Sequence, residues 1–131
     1  MRLLLDTHIW LWSRLAPGRL GRRLSRLLEE GSHELWLSPL SLWETQLLSD
    51  KGRISLAPTA QEWITAALEK FPMKEAPLTF AVAQAMQEVR LSHSDPIDQL
   101  LAATASTYDL TLVTADQHLL SGSGFSVLAN R

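Results

Sequence analysis

The chain has 131 residues and contains no cysteine, few aromatic residues other than tryptophan, and no long uncharged apolar run. Without cysteine there is no disulfide, no thiolate nucleophile and no sulfur-bound zinc, so any metal must bind to oxygen or imidazole. No apolar stretch comes near the ~20 residues that a membrane-spanning helix needs, and no charged leader precedes a signal core. These absences predict a cytoplasmic protein that does not enter a membrane.

The composition is that of an ordinary globular protein. Hydrophobic residues make up 46% of the chain and charged residues 20%, which predicts one domain spanning residues 1–131. The net charge of −2 argues against a protein that coats nucleic acid by bulk electrostatics. The stretch from Thr7 to Leu28 nevertheless contains no acid, and it is either a strip that follows a phosphate backbone or a solvated helix face. Its five arginines are Arg14, Arg19, Arg22, Arg23 and Arg26.

Short apolar runs that end in polar turns are predicted as buried strands. The second run stops at Ser38-Pro39, where serine can cap a helix and proline suits the first helical turn. A helix is therefore expected directly after that strand. The four predicted strands are Arg2–Leu5, Glu34–Leu37, Leu110–Val113 and Phe125–Leu128.

Helical spacing of apolar residues appears between the predicted strands, in segments 20–30, 79–90 and 96–108. In the second segment, Phe80, Ala83, Met86 and Val89 are expected to face the core. Gly31 and Gly52 stand where helices are expected to end. Strands that alternate with helices predict a three-layer α/β/α domain with a parallel sheet of about four or five strands.

Four acids stand at related places in this pattern. Asp6 follows the first strand, Glu44 lies in the helix after the second, Asp98 opens a later helix, and Asp116 follows a late strand. Because open parallel sheets bind ligands beyond the carboxyl ends of their strands, we expect these acids to converge in one crevice.

Four converging carboxylates would need a cation, because otherwise each charge raises the pKa of the others. Hard oxygen ligands select Mg²⁺ or Mn²⁺. A cation held in this way can activate water and stabilise the charge that develops on a phosphodiester during hydrolysis. The acids therefore favour a metal-dependent phosphodiesterase.

Each acid also has a purely structural interpretation. The sequence Asp95-Pro96-Ile97-Asp98 has the pattern of a helix start, with Asp95 as the cap and Asp98 reaching back. Ser41-Leu42-Trp43-Glu44 matches a capping box. Asp6 and Asp116 could likewise cap a helix or a turn that follows them. The two interpretations are compatible, since a helix N-terminus keeps a nearby carboxylate ionised.

The four histidines, by contrast, show no metal-binding pattern. No pair has the i, i+4 spacing of a helical zinc motif. His8 and His118 each lie two residues from one of the acids, and a surface or turn role is favoured for both. The remaining two are His33 and His93.

Four segments together resemble the PIN-domain nucleases, and within them the VapC-like toxins of prokaryotic toxin–antitoxin pairs. Their order and spacing frame nearly the whole chain. The segments are LLLDTHIW at the N-terminus, SPLSLWE around Glu44, DPIDQLLAATA from Asp95 to Ala105, and LVTADQHL from Leu112 to Leu119.

The resemblance implies a role for each residue of the site. Asp6, Glu44 and Asp98 correspond to the acidic metal site of the family, and Asp116 to its more variable fourth acid. Thr114 corresponds to the hydroxyl residue that commonly stands two positions before that acid. Asp95 either orients the site without binding the metal itself or caps its helix, and capping is favoured.

The function implied by the resemblance is Mg²⁺- or Mn²⁺-dependent hydrolysis of RNA by a PIN-like homodimer, inhibited by a small antitoxin protein.

Two alternatives are open. A receiver-like signalling domain also binds Mg²⁺ at strand ends, but it needs adjacent acids after the first strand and a late lysine; Asp6 has no acidic neighbour, and no lysine follows Lys74. The other alternative is a catalytically silent PIN-like scaffold that binds RNA.

Overall fold

The computed structural model, which describes residues 1–93 and 95–131, contains a five-stranded sheet in the order β3-β2-β1-β4-β5. All neighbouring strands run parallel. The predicted fold class is therefore confirmed. The strands are β1 (Arg2–Leu5), β2 (Glu34–Leu37), β3 (Lys74–Glu75), β4 (Thr111–Thr114) and β5 (Ser126–Ala129).

Helices cover both faces of the sheet, because successive side chains of each strand point to opposite sides. Leu3 and Leu5 of β1 pack in one core cluster, with residues of α1, α2 and α4. Leu4 packs in the other, with residues of α6, and α5 lies against α6. The helices are α1 (Thr7–Leu15), α2 (Arg22–Glu29), α3 (Pro39–Asp50), α4 (Ala60–Lys70), α5 (Phe80–Ala85), α6 (Pro96–Thr107) and α7 (Gln117–Leu120).

The longest of these helices, α3 and α6, have 12 residues each. Within the described ranges, no helix has both the length and the apolarity to cross a membrane.

The sequence-based prediction was wrong in segment 79–90. The helix there ends at Ala85, and Phe80, which was expected in the core, is 92% exposed. The chain leaves the helix because it must reach Ser123, with which Arg90 forms an isolated antiparallel bridge. Val89 is buried as expected. Helix α4 and strand β3 were not predicted at all.

The sheet reverses its direction of growth beside β1. The chain adds β2 and then β3 on one side of β1, and β4 and β5 on the other. At such a reversal the loops after neighbouring strands part and leave a crevice at their carboxyl ends. Asp6 follows β1 at this crevice, and its backbone N–H donates to Val113 of β4 at 2.9 Å.

The end of the chain caps α2, which has no side-chain cap of its own. The N–H of Leu24 donates to the carbonyl of Arg131 at 2.9 Å, and the N–H of Gly21 donates to Asn130 Oδ1 at 2.7 Å. A Cβ atom on Gly21 would overlap the backbone of Arg131. Glycine at this position therefore permits the cap.

Gly21→Ala should destabilise the protein by about 1 to 3 kcal/mol, because the added methyl group displaces the backbone that caps α2. Gly18→Ala is the matched control, since an added Cβ there has no atom within 4 Å. Urea denaturation of both variants measures the effect. Equal midpoints for the two variants would show that residues 130 and 131 do not hold α2.

Candidate metal centre

Asp6 has two roles at the end of β1. One carboxylate oxygen accepts the N–H of Thr7 at 2.8 Å and so caps α1, as the structural interpretation expected. The other accepts the hydroxyl of Thr114, at the end of β4, at 2.7 Å. The Thr114 hydroxyl in turn accepts the N–H of Asp116 at 3.0 Å. Thr114 therefore connects the two acids that follow β1 and β4.

Buried hydroxyl groups join α1 to α3, the helix that carries Glu44. Thr7 donates to Ser41 Oγ at 2.9 Å, and Thr45 donates to the Ser41 carbonyl at 2.7 Å. All three of these side chains are fully buried. The Thr7–Ser41 bond holds α1, which follows Asp6, in a fixed relation to α3, which carries Glu44, and the Thr45 bond lies within α3.

The capping-box interpretation of Glu44 is wrong. Helix α3 begins at Pro39, two residues before Ser41, and it is capped by Ser38, which accepts the N–H of Leu40. Ser41 therefore lies inside the helix, and its hydroxyl bonds to Thr7. Glu44 is left in mid-helix with no part in the cap.

Asp95 and Asp98, the two acids of one helix-start motif, make different contacts. Asp95 caps α6 by accepting the N–H groups of Ile97 and Asp98 at 2.9 and 3.4 Å. In the structural interpretation, Asp98 reaches back into this cap. Its Oδ2 instead lies 3.0 Å from Nε2 of His93. The capping role preferred for Asp95 is confirmed, whereas the Asp98 side chain pairs with His93.

Asp116 caps the short helix α7 by accepting the N–H of His118 at 2.8 Å. The His118 ring stacks on His93 with a centroid distance of 4.1 Å and an interplanar angle of 18°. His93 was missed from the sequence, because it precedes α6 and no helical spacing relates it to Asp98. The only sequence signal was its position shortly before the helix start at Asp95.

Burial and mutual repulsion perturb two of the acids. Burial raises the pKa of Asp6, and the charge on Glu44 raises it further, against hydrogen bonds from Thr114 and Thr7 that lower it. Burial also raises the pKa of Asp98 to about 6, with added repulsion from Asp95, Asp116 and Asp6. Repulsion therefore couples Asp6 to Glu44, and Asp98 to Asp6 and Asp116.

A divalent cation fits this donor set. Within residues 1–93 and 95–131, no lysine or arginine forms an ion pair with any of the four acids. In the same ranges, the group of possible ligands whose donor atoms all lie within 4.8 Å of one another is His93, Asp95 and Asp98. It includes Asp98 but not Asp6, Glu44 or Asp116. Negative oxygen donors with so little compensation suit a hard cation such as Mg²⁺ or Mn²⁺.

Comparison with known proteins identifies the family. The PIN domain family model matches residues 3–122. Ribonuclease VapC22 of Mycobacterium tuberculosis (strain ATCC 25618 / H37Rv) is 32% identical over 120 residues, which are 91% of this chain and 90% of that protein. The chain therefore belongs to the PIN-domain family.

Solved structures share its fold. A chain of VapBC2 from Rickettsia felis, bound to a DNA fragment from their promoter, aligns with a TM-score of 0.72 and 16% identity over 98% of both chains. A chain of a toxin–antitoxin complex from Klebsiella pneumoniae aligns with a TM-score of 0.65 and 18% identity, again over 98% of both. At these identities the likeness establishes the fold.

The receiver-like alternative disagrees with this fold. A receiver domain has the strand order 2-1-3-4-5, with its second strand at one edge. Here β2 lies inside the sheet, between β1 and β3. The strand order and the family membership both exclude a receiver.

Metal-free wild-type protein should lose stability relative to Asp98→Asn as the pH rises. The folded chain raises the pKa of Asp98 from 3.8 to about 6, so the folded state holds this proton more tightly than the unfolded state does. The resulting stabilisation is complete below pH 3.8 and is lost as the pH rises through about 6. Asparagine carries no charge at any pH and keeps an oxygen for His93.

Urea denaturation of both proteins in chelator, from pH 4 to pH 7, measures the difference. Between pH 4 and pH 7, the free energy of unfolding of Asp98→Asn should rise relative to that of wild type by on the order of 1 kcal/mol, a figure that allows for solvent screening. A difference between the two proteins that stays constant over this range would contradict a repelled carboxylate at position 98.

Proposed function

We propose that this chain is a Mg²⁺- or Mn²⁺-dependent ribonuclease, the toxin of a toxin–antitoxin pair. The observation that carries the proposal is the group of uncompensated acids at the carboxyl ends of β1 and β4. The similarity to a protein named ribonuclease VapC22 supports RNA as the substrate.

In this proposal Asp6, Glu44, Asp98 and Asp116 hold the cation. Thr114 supports the site by fixing one oxygen of Asp6, and Asp95 does so by starting α6 in the orientation that presents Asp98. The cation would supply an acidic water for attack on phosphorus and positive charge against the phosphate oxygens. The protein's own part is to orient the carboxylates, because a displaced ligand costs activity even when the fold is intact.

A cavity of about 530 Å³ beside Glu44 offers a path for the RNA strand. Its wall includes three cationic side chains, Arg19, Lys51 and Arg53, which can contact phosphates. The wall also includes Trp12, over whose ring the Arg19 guanidinium lies at 4.5 Å. Arginine and aromatic faces of this kind are suited to stacking with unpaired bases.

The partners proposed for the chain are an antitoxin protein and a second copy of itself, in the cytoplasm. Structures described as toxin–antitoxin complexes share the fold and support the antitoxin. A cationic side chain of the antitoxin would lie in the acidic crevice, in the place of the metal. Large apolar side chains remain exposed in the monomer, including Trp43 at 51% and Phe80 at 92%, and such surface suits a protein contact.

Asp6→Asn and Asp98→Asn should each abolish RNA cleavage while the protein stays folded, since each removes one ligand charge at nearly constant volume. Asp109→Asn is the matched control, because Asp109 is exposed and has a φ of 53°, a conformation that asparagine also tolerates. Cleavage of tRNA, rRNA and mRNA in Mn²⁺ is measured after removal of any partner. Wild-type protein that binds RNA without cutting it would instead support the catalytically silent scaffold.

Replacing Arg19, Lys51 and Arg53 together with alanine should weaken RNA binding and flatten its dependence on salt. Each lost phosphate contact lowers the slope of log affinity against log salt by roughly 0.7 for single strands. Binding is measured in the Asp6→Asn background so that the RNA stays intact. The exposed arginines of α2 (Arg22, Arg23 and Arg26) provide the comparison set. If only the α2 set changes the slope, the RNA follows α2 rather than the cavity.

A further inference from the structure

His93 is the neighbour of the acid cluster to which no role has yet been given. Its Nε2 lies 3.0 Å from Asp98 Oδ2, and the two side chains are 29% and 15% exposed. The ring of His118 stacks on the ring of His93, with their centroids 4.1 Å apart. His118 is held in turn through its Nδ1, 2.7 Å from the hydroxyl of Ser92.

The backbone on both sides of this pair is also held. Arg90 and Ser123 exchange two backbone hydrogen bonds, of 3.0 and 2.9 Å. Gly124, with a φ of 91°, lies so close to the carbonyl of Glu88 that a Cβ would overlap it. The loop after α7 therefore fixes the segment that leads to His93.

The surroundings of the ring determine which nitrogen carries hydrogen. Nδ1 of His93 is buried and has no hydrogen-bond partner in the part of the chain that the structure describes. A hydrogen on Nδ1 would be a buried donor without an acceptor, which is costly. The tautomer with its hydrogen on Nε2 avoids this cost and donates to Asp98. Nε2 is then a donor and cannot also bind a metal.

We propose that His93 is a positioning residue that holds Asp98 Oδ2 and directs the other oxygen of this carboxylate toward the cation. His118 is the stacking platform that sets the plane of the His93 ring. In other metal sites, ligating carboxylates are likewise held by hydrogen bonds from residues that do not touch the metal. This inference rests on the proposed function, since it requires that Asp98 bind a metal.

The test measures Mn²⁺ affinity of the metal-free full chain by calorimetry at one pH and ionic strength. His93→Ala should weaken Mn²⁺ binding by about 10- to 100-fold. His93→Gln should restore affinity to within a few-fold of wild type, because the glutamine amide can place a donor where Nε2 lies. His33→Ala is the matched control: His33 also pairs with an acid, Glu30, at 2.8 Å. It directly precedes β2 and so lies at the amino ends of the strands, opposite the carboxyl ends that Asp6 and Asp116 follow, and Mn²⁺ affinity should not change.

A second variant covers the case in which His93→Ala does not fold. His118→Ala removes the stacking platform and leaves the bond to Asp98, so it should weaken Mn²⁺ binding by a smaller factor. Electron paramagnetic resonance of the Mn²⁺ complex with ¹⁵N-labelled histidine should show no directly bonded nitrogen.

Three results would overturn the proposal. Wild-type Mn²⁺ affinity in both His93→Ala and His118→Ala would show that His93 does not position Asp98. The proposed metal-dependent function would still stand. A directly bonded ¹⁵N, with His93→Gln as weak as His93→Ala, makes His93 a ligand instead. Wild-type protein that binds no Mn²⁺ overturns the proposed metal-dependent function, and this inference with it.

Discussion

Repulsion between carboxylates in a partly buried crevice is the constraint on which this site depends. Asp6 and Asp98 lose hydration on folding, and the charges of Glu44, Asp95 and Asp116 add to the cost. No lysine or arginine of the described residues pairs with the four acids. The folded chain therefore carries a destabilising charge arrangement that a divalent cation would relieve. Such strain is typical of sites shaped for a ligand rather than for stability.

The rest of the fold holds these acids together against their repulsion. The reversal of strand order beside β1 brings the ends of β1 and β4 side by side, so that Thr114 can hold Asp6. The carboxylates of Asp6, Asp95 and Asp116 each accept a backbone N–H at a helix N-terminus. These hydrogen bonds offset part of the free-energy cost of the repulsion. Capping and metal binding are thus not competing interpretations of these residues, since helix starts are the places where a carboxylate can be kept ionised.

Much of this arrangement could be predicted from the sequence, because it depends on local patterns. The apolar run before Asp6 and the Asp95-Pro96 helix start are both read from adjacent residues, and both are found in the structure. Strand β3 could not be predicted, since it consists of two exposed charged residues whose only strand feature is pairing with β2. His93 was missed for a similar reason: it lies outside α6, so its contact with Asp98 is a tertiary contact that no local pattern predicts. Segment 79–90 has helical periodicity, but the bridge to Ser123 overrides it.

The most direct test of a single site built from these acids is a crystal structure with Mn²⁺, located by its anomalous scattering. We expect one or two peaks in the crevice between β1 and β4, within bonding distance of carboxylate oxygens of Asp6 and Asp98 and apart from the ring nitrogens of His93. A peak held by His93 and Asp95 away from Asp6, or no peak at millimolar Mn²⁺, would contradict it.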